Sequence, residues 1–194
     1  VDEIKSYEDF KGKKIAISSK NSIDEYIYLE MLKHAGLTSE DVELVLLADF
    51  GSMLGAIENG SIDAALQIEP LIAQGIKNEF HQRFGDATDY APESQIAMVL
   101  GSPQFMSDKK DVSLRFMAAY LKGVRDYNDA FIKGENKDEI IEIMTKHTSL
   151  KDTALWEEVF VTGLDPDGKM FLDDVLKQYN AYKDNGAISG EVDF

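Results

Sequence analysis

Ser18, Ser19, Asn21 and Ser22 crowd into one short loop between an apolar run and a helix-forming stretch. Free N–H groups and the positive dipole end at a helix start favour an anion or a polar ligand. The same loop also reads as a plain turn in which Ser22 caps the helix. Asp49 and Phe50 set a carboxylate, able to accept from a ligand amine, beside an aromatic wall. Equally, Asp49 or Ser52 caps the next helix and Phe50 fills the core. Gln67 and Glu69 alternate with Leu66 and Ile68, so both polar groups share one face at a strand end. Glu69 there can accept from a ligand, hold a counter-charge, or simply lie at the surface. Lys20 is the only cation in these three loops, so Asp49, Phe50 and Glu69 favour a ring-bearing or amine-bearing ligand.

Catalytic constellations are absent from the sequence. His34, His81 and His147 fall in separate predicted elements, and no H-E-x-x-H, G-x-S-x-G, P-loop or G-x-G-x-x-G occurs. Asp165-Pro166-Asp167-Gly168 followed by Asp173 and Asp174 has some likeness to a calcium loop. Aligning Gly168 with the loop glycine puts Gly163 at the first ligand position and Asp174, not glutamate, at the last. The stretch reads as a turn feeding a helix, and neither a metal nor a cofactor is expected.

Composition narrows the partners. Thirty-six acidic against 20 basic residues give a net charge of −16, and no basic cluster exceeds Lys11–Lys14, which argues against nucleic acid. With no cysteine there is no disulfide framework, thiol catalysis or thiolate metal site. No apolar run approaches the roughly 20 residues of a membrane span. The chain starts at Val1 rather than Met and reads as a processed or trimmed product, so the lack of a signal peptide does not argue for the cytoplasm.

Three segments must position the polar loops. Residues 13–18 read as a buried strand, and Ser22 with Glu25 has capping-box spacing ahead of a helix whose Ile23, Ile27, Met31 and Ala35 form a stripe ending at Gly36. Residues 42–48 predict a second strand, followed by a helix from Ser52 to Gly60, and residues 62–68 a third. Pro70 opens another helix. Alternating strands and helices predict an α/β lobe with a parallel-rich sheet over residues 1–95, its strand ends converging on one edge. Residues 96–194 predict a returning strand at 95–101 and a mostly helical part. Its helices fall at 111–133, with Met117, Tyr120, Leu121, Val124 and Phe131 on one face, and near 137–147, 151–161 and 171–185.

The runs FKGKKIAISSKNSIDEYIYLEMLKHAGL and DVELVLLADFGSMLGAIENGSIDAALQIEP resemble the second lobe of type-2 substrate-binding proteins of ABC importers. The closest group handles nitrate, aliphatic sulfonates and the pyrimidine precursor of thiamine. Gly60-Ser61-Ile62-Asp63-Ala64 matches its "G-x-D-A" turn, Glu69-Pro70 its strand-ending "E-P", and the tail from Asp165 its closing pattern. The resemblance implies two lobes clamping a small molecule, with Ser18, Ser19, Asn21, Ser22, Asp49, Phe50, Gln67 and Glu69 on one cleft wall. It further implies an ABC permease partner in the membrane and a periplasmic or extracellular setting, with a lipoprotein anchor as one mode of attachment. Members carry a segment ahead of the first strand that is absent here. The chain is therefore expected to be truncated or naturally short, and a truncated lobe would self-associate to hide apolar surface. A ligand-sensing domain of a larger receptor, and a relative of the thiamine-pyrimidine biosynthetic enzymes, stay open as alternatives.

Overall fold

The computed structural model describes residues 4–148, 150–160 and 162–192. Contacts divide the chain into two compact units, one of Val1–Ile96 with Phe171–Phe194 and the other of Ala97–Met170. The first is built on strands β1 (Lys14–Ile17), β2 (Glu43–Leu46) and β3 (Ala64–Ala65), all parallel, in the order β2-β1-β3. Helices α1 (Ile23–His34) and α2 (Phe50–Glu58) make the crossovers, and α3 (Leu71–Lys77) follows β3. The α/β architecture read from the sequence is the one observed.

β1 is apolar throughout its middle because both of its faces are covered. Ile15 and Ile17 pack with Phe10 and with Tyr28, Met31 and Leu32 of α1. Ala16, pointing the other way, packs with Met53 of α2 and with Ile62. Asp63 locks the third strand in register: its carboxylate accepts the Lys14 N–H at 2.8 Å and its own N–H donates to the Lys14 carbonyl at 2.9 Å. That is the physical task of the aspartate in Gly60-Ser61-Ile62-Asp63-Ala64.

Several sequence expectations are corrected. β3 is two residues long rather than the whole of 62–68: among the described residues it pairs with β1 alone, through Ala64 and Ala65. Residues 95–101 form no strand: no ladder partner lies beside them among the described residues, and Leu100 is 87% exposed. The described residues of 151–161 supply only a short 3-10 turn, Ala154–Glu157.

In the second unit, α4 (Pro103–Asp108) was not anticipated, and α5 (Lys110–Asn128) and α6 (Lys137–His147) are joined through a wide π turn at Asp129–Lys133. Gly134, at φ +77°, ends that turn in the left-handed region glycine tolerates. The small core holds Val124, Ala130, Ile141, Leu155 and Trp156. Of the expected α5 stripe only Val124 is buried, while Tyr120 is exposed. Helix α7 (Leu172–Asp184) belongs to the first unit, where Ala181 and Tyr182 pack with Tyr26 and Ile27 of α1. Among the described residues no helix is long and apolar enough to cross a membrane.

Candidate functional site

The three parallel strands end on one edge of the sheet, and β1 sits centrally. The Leu47 N–H donates to the Ile17 carbonyl and the Leu66 N–H to the Ala16 carbonyl, each at 3.0 Å, so the two outer loops leave the sheet beside the end of β1. Open parallel sheets place ligands at such an edge. The segments Ser18–Ser22, Asp49–Ser52 and Gln67–Pro70, which follow the three strands, therefore lie at this edge. Gln67 and Phe50 are joined directly, the Gln67 Nε2 donating to the Phe50 carbonyl at 2.8 Å. Ser19, Asn21 and Asp49 are exposed, and Ser18, Ser22, Phe50, Gln67 and Glu69 are half-buried.

Carboxylates, rather than hydroxyls, satisfy these loops. Ser22 stands at the N-cap of α1, yet its hydroxyl donates to the Ser19 carbonyl at 2.8 Å instead of accepting from the helix. The expected Ser22–Glu25 box does not form. Asp24 takes the Ser18 N–H at 3.2 Å as well as the Ser18 hydroxyl, and Glu25 takes the Asn21 N–H at 2.6 Å. An ionised carboxylate is the stronger acceptor, and its charge suits the positive end of the helix. Asn21 turns this loop at φ +56°, a conformation asparagine tolerates.

Asp49, not Ser52, caps α2, its oxygens accepting the Gly51 N–H at 3.3 Å and the Ser52 N–H at 2.8 Å. Its carboxylate thus has a structural task before any ligand arrives. Asp49→Ala is expected to lower the unfolding free energy by about 1 kcal/mol, with Asp49→Ser retaining most of it, in urea titrations. Equal stability for Asp49→Ala and the native protein would show that the cap carries no weight.

Glu69 is tied down as well. Its Oε2 accepts the Ala73 N–H at 3.1 Å, and its Oε1 lies 4.0 Å from Arg83, which is ion-paired to Asp86. Beside it, His81 sits over Gly75 of α3, where a Cβ would overlap the imidazole. Burial holds His81 below its ordinary pKa, against the opposing pull of a hydrogen bond to Ile72 and of the Glu69 charge. Sequence reasoning missed Asp24, Glu25, Arg83 and His81 as parts of this edge. Asp24 and Glu25 were detectable in principle as acids in the first turn of α1. Arg83 and His81 lie in a long irregular segment, and no periodicity places them near Glu69. Among the described residues no group of three or more acidic or histidine side chains is gathered to hold a metal.

The profile of the family described as NMT1/THI5 like matches residues 1–129. No curated protein matches the sequence. Among solved structures, the chain is similar to the periplasmic aliphatic sulphonate binding protein SsuA of Escherichia coli, with a TM-score of 0.73 at 19% identity, covering 98% of this chain and 59% of that one. It is also similar to the ligand-binding component of an ABC-type import system from Staphylococcus aureus with zinc bound (TM-score 0.66, 14% identity, 94% and 60% covered). A third is the alkanesulfonate-binding protein SsuA of Xanthomonas axonopodis pv. citri bound to MOPS (0.65, 15%, 95% and 60%). The present chain thus spans about three-fifths of the length of each. At these identities the likeness establishes the shared fold.

Proposed function

The chain belongs to the NMT1/THI5-like family, and from that premise we propose that it is the ligand-binding component of an ABC-type importer rather than an enzyme. The ligand is a small polar molecule held at the carboxyl edge of β1–β3 by Ser18, Ser19, Asn21, Ser22, Asp49, Phe50, Gln67 and Glu69. The partner is a membrane permease, and the setting is periplasmic or extracellular. The fold shared with import-system binding components supports the role, and closure of mobile parts around the ligand is the mechanism it calls for.

One observation carries the ligand class: loop N–H groups on this edge are already held by carboxylates. Asp24, Glu25, Asp49 and Glu69 each accept from a backbone N–H there, and Arg83 is paired with Asp86. An anion entering would compete with these acceptors and meet their charge. A neutral or amine-bearing ring instead finds acceptors there, beside Phe50, which is half-buried and packs with Ala16, Met53 and Ile62. The preferred ligand is therefore of the aminopyrimidine type, not a sulfonate or nitrate.

A thermal-shift panel tests this with hydroxymethyl-aminopyrimidine, thiamine, taurine, an alkanesulfonate and nitrate. At roughly a hundred times its dissociation constant a ligand adds about 2.7 kcal/mol, or roughly 5–10 °C for a chain this size. The aminopyrimidine is expected to raise the Tm and the anions to leave it unchanged. A shift with sulfonate alone would reverse the ligand class, and a flat panel would count against the edge as a binding site.

A further inference from the structure

Asn59 and Asn185 are the two asparagines of this chain that precede a glycine, and the two pairs share one backbone conformation. Asn59 closes α2 at φ −86° and ψ 0°, and Asn185 closes α7 at φ −78° and ψ −2°. Each is followed by a glycine in the left-handed region, Gly60 at +72° and Gly186 at +75°. Both asparagines are exposed. Both glycine N–H groups donate back into the helix, to the Ile57 carbonyl at 3.1 Å and the Lys183 carbonyl at 3.0 Å.

The residue after each glycine sets the two turns apart. The Ser61 N–H is shared between the Ala56 carbonyl at 3.0 Å and the Asn59 Oδ1 at 2.9 Å. The Ser61 hydroxyl stands 2.5 Å from the same Oδ1 and 3.2 Å from the Ala56 carbonyl, so its proton goes to the nearer acceptor. Two donors therefore meet on one side-chain carbonyl oxygen. Ala187 takes the corresponding place after Gly186, has no hydroxyl, and gives its N–H to the Tyr182 carbonyl at 2.8 Å.

We propose that Asn59 is a site of spontaneous covalent modification, cyclising on Gly60 and deamidating well ahead of Asn185. The Gly60 nitrogen forms a bond to the Asn59 Cγ as its proton passes to a solvent base. The bond from Cγ to Nδ2 breaks, and that nitrogen takes a proton from water and leaves as ammonia. Water then opens the five-membered imide at either carbonyl, giving aspartate or isoaspartate. Negative charge gathers on Oδ1 during the attack, where the Ser61 N–H and hydroxyl already point, and donors so placed act as an oxyanion hole. Gly60 has no Cβ to shield its nitrogen, and nothing lies within 4 Å of where one would stand. Its hydrogen bond to Ile57 must open first, as helix ends readily do, but the same holds for Gly186 and does not separate the two sites. The product bears on the fold. A new charge stands at the C-terminal end of α2, beside Glu58, where the helix dipole disfavours an anion. Isoaspartate also adds a backbone carbon shortly ahead of Asp63, which holds β3 in register. Neither step involves a bound ligand, so the inference stands apart from the binding role.

Trypsin places the two asparagines on separate peptides, 34–77 and 184–194, so peptide mass spectrometry reads each rate after the full chain is held in mildly alkaline buffer. Asn59 is expected to convert about tenfold faster than Asn185 or more, since one well-placed oxyanion donor is worth roughly a hundredfold in an enzyme. In urea, where neither turn is held, the two rates should converge. Ser61→Ala removes the hydroxyl from an exposed position and should slow Asn59 several-fold while Asn185 keeps its rate. Equal rates in the native chain would overturn the proposal. So would a lead for Asn59 that survives in urea, because the order of residues rather than the fold would then set it. An unchanged Asn59 rate in Ser61→Ala rejects the oxyanion pair as its cause and the proposal with it. Should Asn185 quicken as well in that variant, the chain has loosened, and Ser61→Thr decides. It keeps the hydroxyl, so a native Asn59 rate supports the site and a slow one rejects it.

Discussion

Ile17→Ala is expected to lower the stability of the first unit by about 2–5 kcal/mol, the range for emptying a buried isoleucine site. Ile17 is fully buried in the central strand and packs with Phe10, Tyr28, Met31 and Leu32. Both neighbouring strands hold β1 by its backbone, so the site cannot collapse easily around the lost methyl groups. Leu46→Ala on β2 serves as the control, since Leu46 is half exposed and its loss should cost far less. Urea unfolding followed by far-UV circular dichroism measures the loss. The single tryptophan, Trp156, lies in the core of the second unit, so its fluorescence reports that unit separately. A loss below about 1 kcal/mol for Ile17→Ala would mean that this face of the sheet is not packed as described.

Gly75→Val is expected to cost about 1–3 kcal/mol through overpacking, partly offset by a few tenths from valine's better helix propensity. The new side chain must take the space of the His81 imidazole, which then moves into solvent. This gives the variant a signature in pH as well as in stability. Native His81 has a folded-state pKa lowered by burial. The unfolded chain therefore binds the proton more readily, and native stability falls as the pH drops below about 6.5, levelling off only beneath the lowered value. With His81 expelled, that contribution disappears, and the stability gap between the two proteins narrows from pH 7 to pH 5. An NMR titration checks the same point directly: the His81 pKa should rise towards the ordinary histidine value in Gly75→Val. An unchanged His81 pKa would show that the ring was never held by the space above Gly75.

The elements that decide the fold class were legible because each is specified by neighbours in sequence. The apolar run at 14–17, the four-residue spacing of Ile27, Met31 and Ala35, and the left-handed glycines Gly36 and Gly60 act within a single strand, helix or turn. Where two local solutions competed, the chemistry of the acceptor chose between them. Ser22 had the spacing for a capping box, but Asp24 and Glu25 are charged acceptors within the same few residues, and the loop N–H groups went to them. Of the two residues able to cap α2, Asp49 and Ser52, it is likewise the carboxylate that does so.

The candidate edge itself divides the same way. Its three loops follow from the order of strands and helices, since parallel strands with right-handed crossovers must end on one side. By itself, then, the sequence determined a parallel α/β core, the edge where its polar loops meet, and a family resemblance that the NMT1/THI5-like match bears out. Only the tertiary structure decided that Arg83 approaches Glu69, that His81 occupies the space Gly75 leaves, and that Asp174 ties Gln95 to Tyr26. It also decided that residues 95–101 stay out of any ladder and that Tyr120 faces solvent. The physical reason is common to all of these. Periodicity and capping act over a few residues, whereas a buried carboxylate, a ring above a glycine or a strand's partner depends on groups brought together from distant parts of the chain.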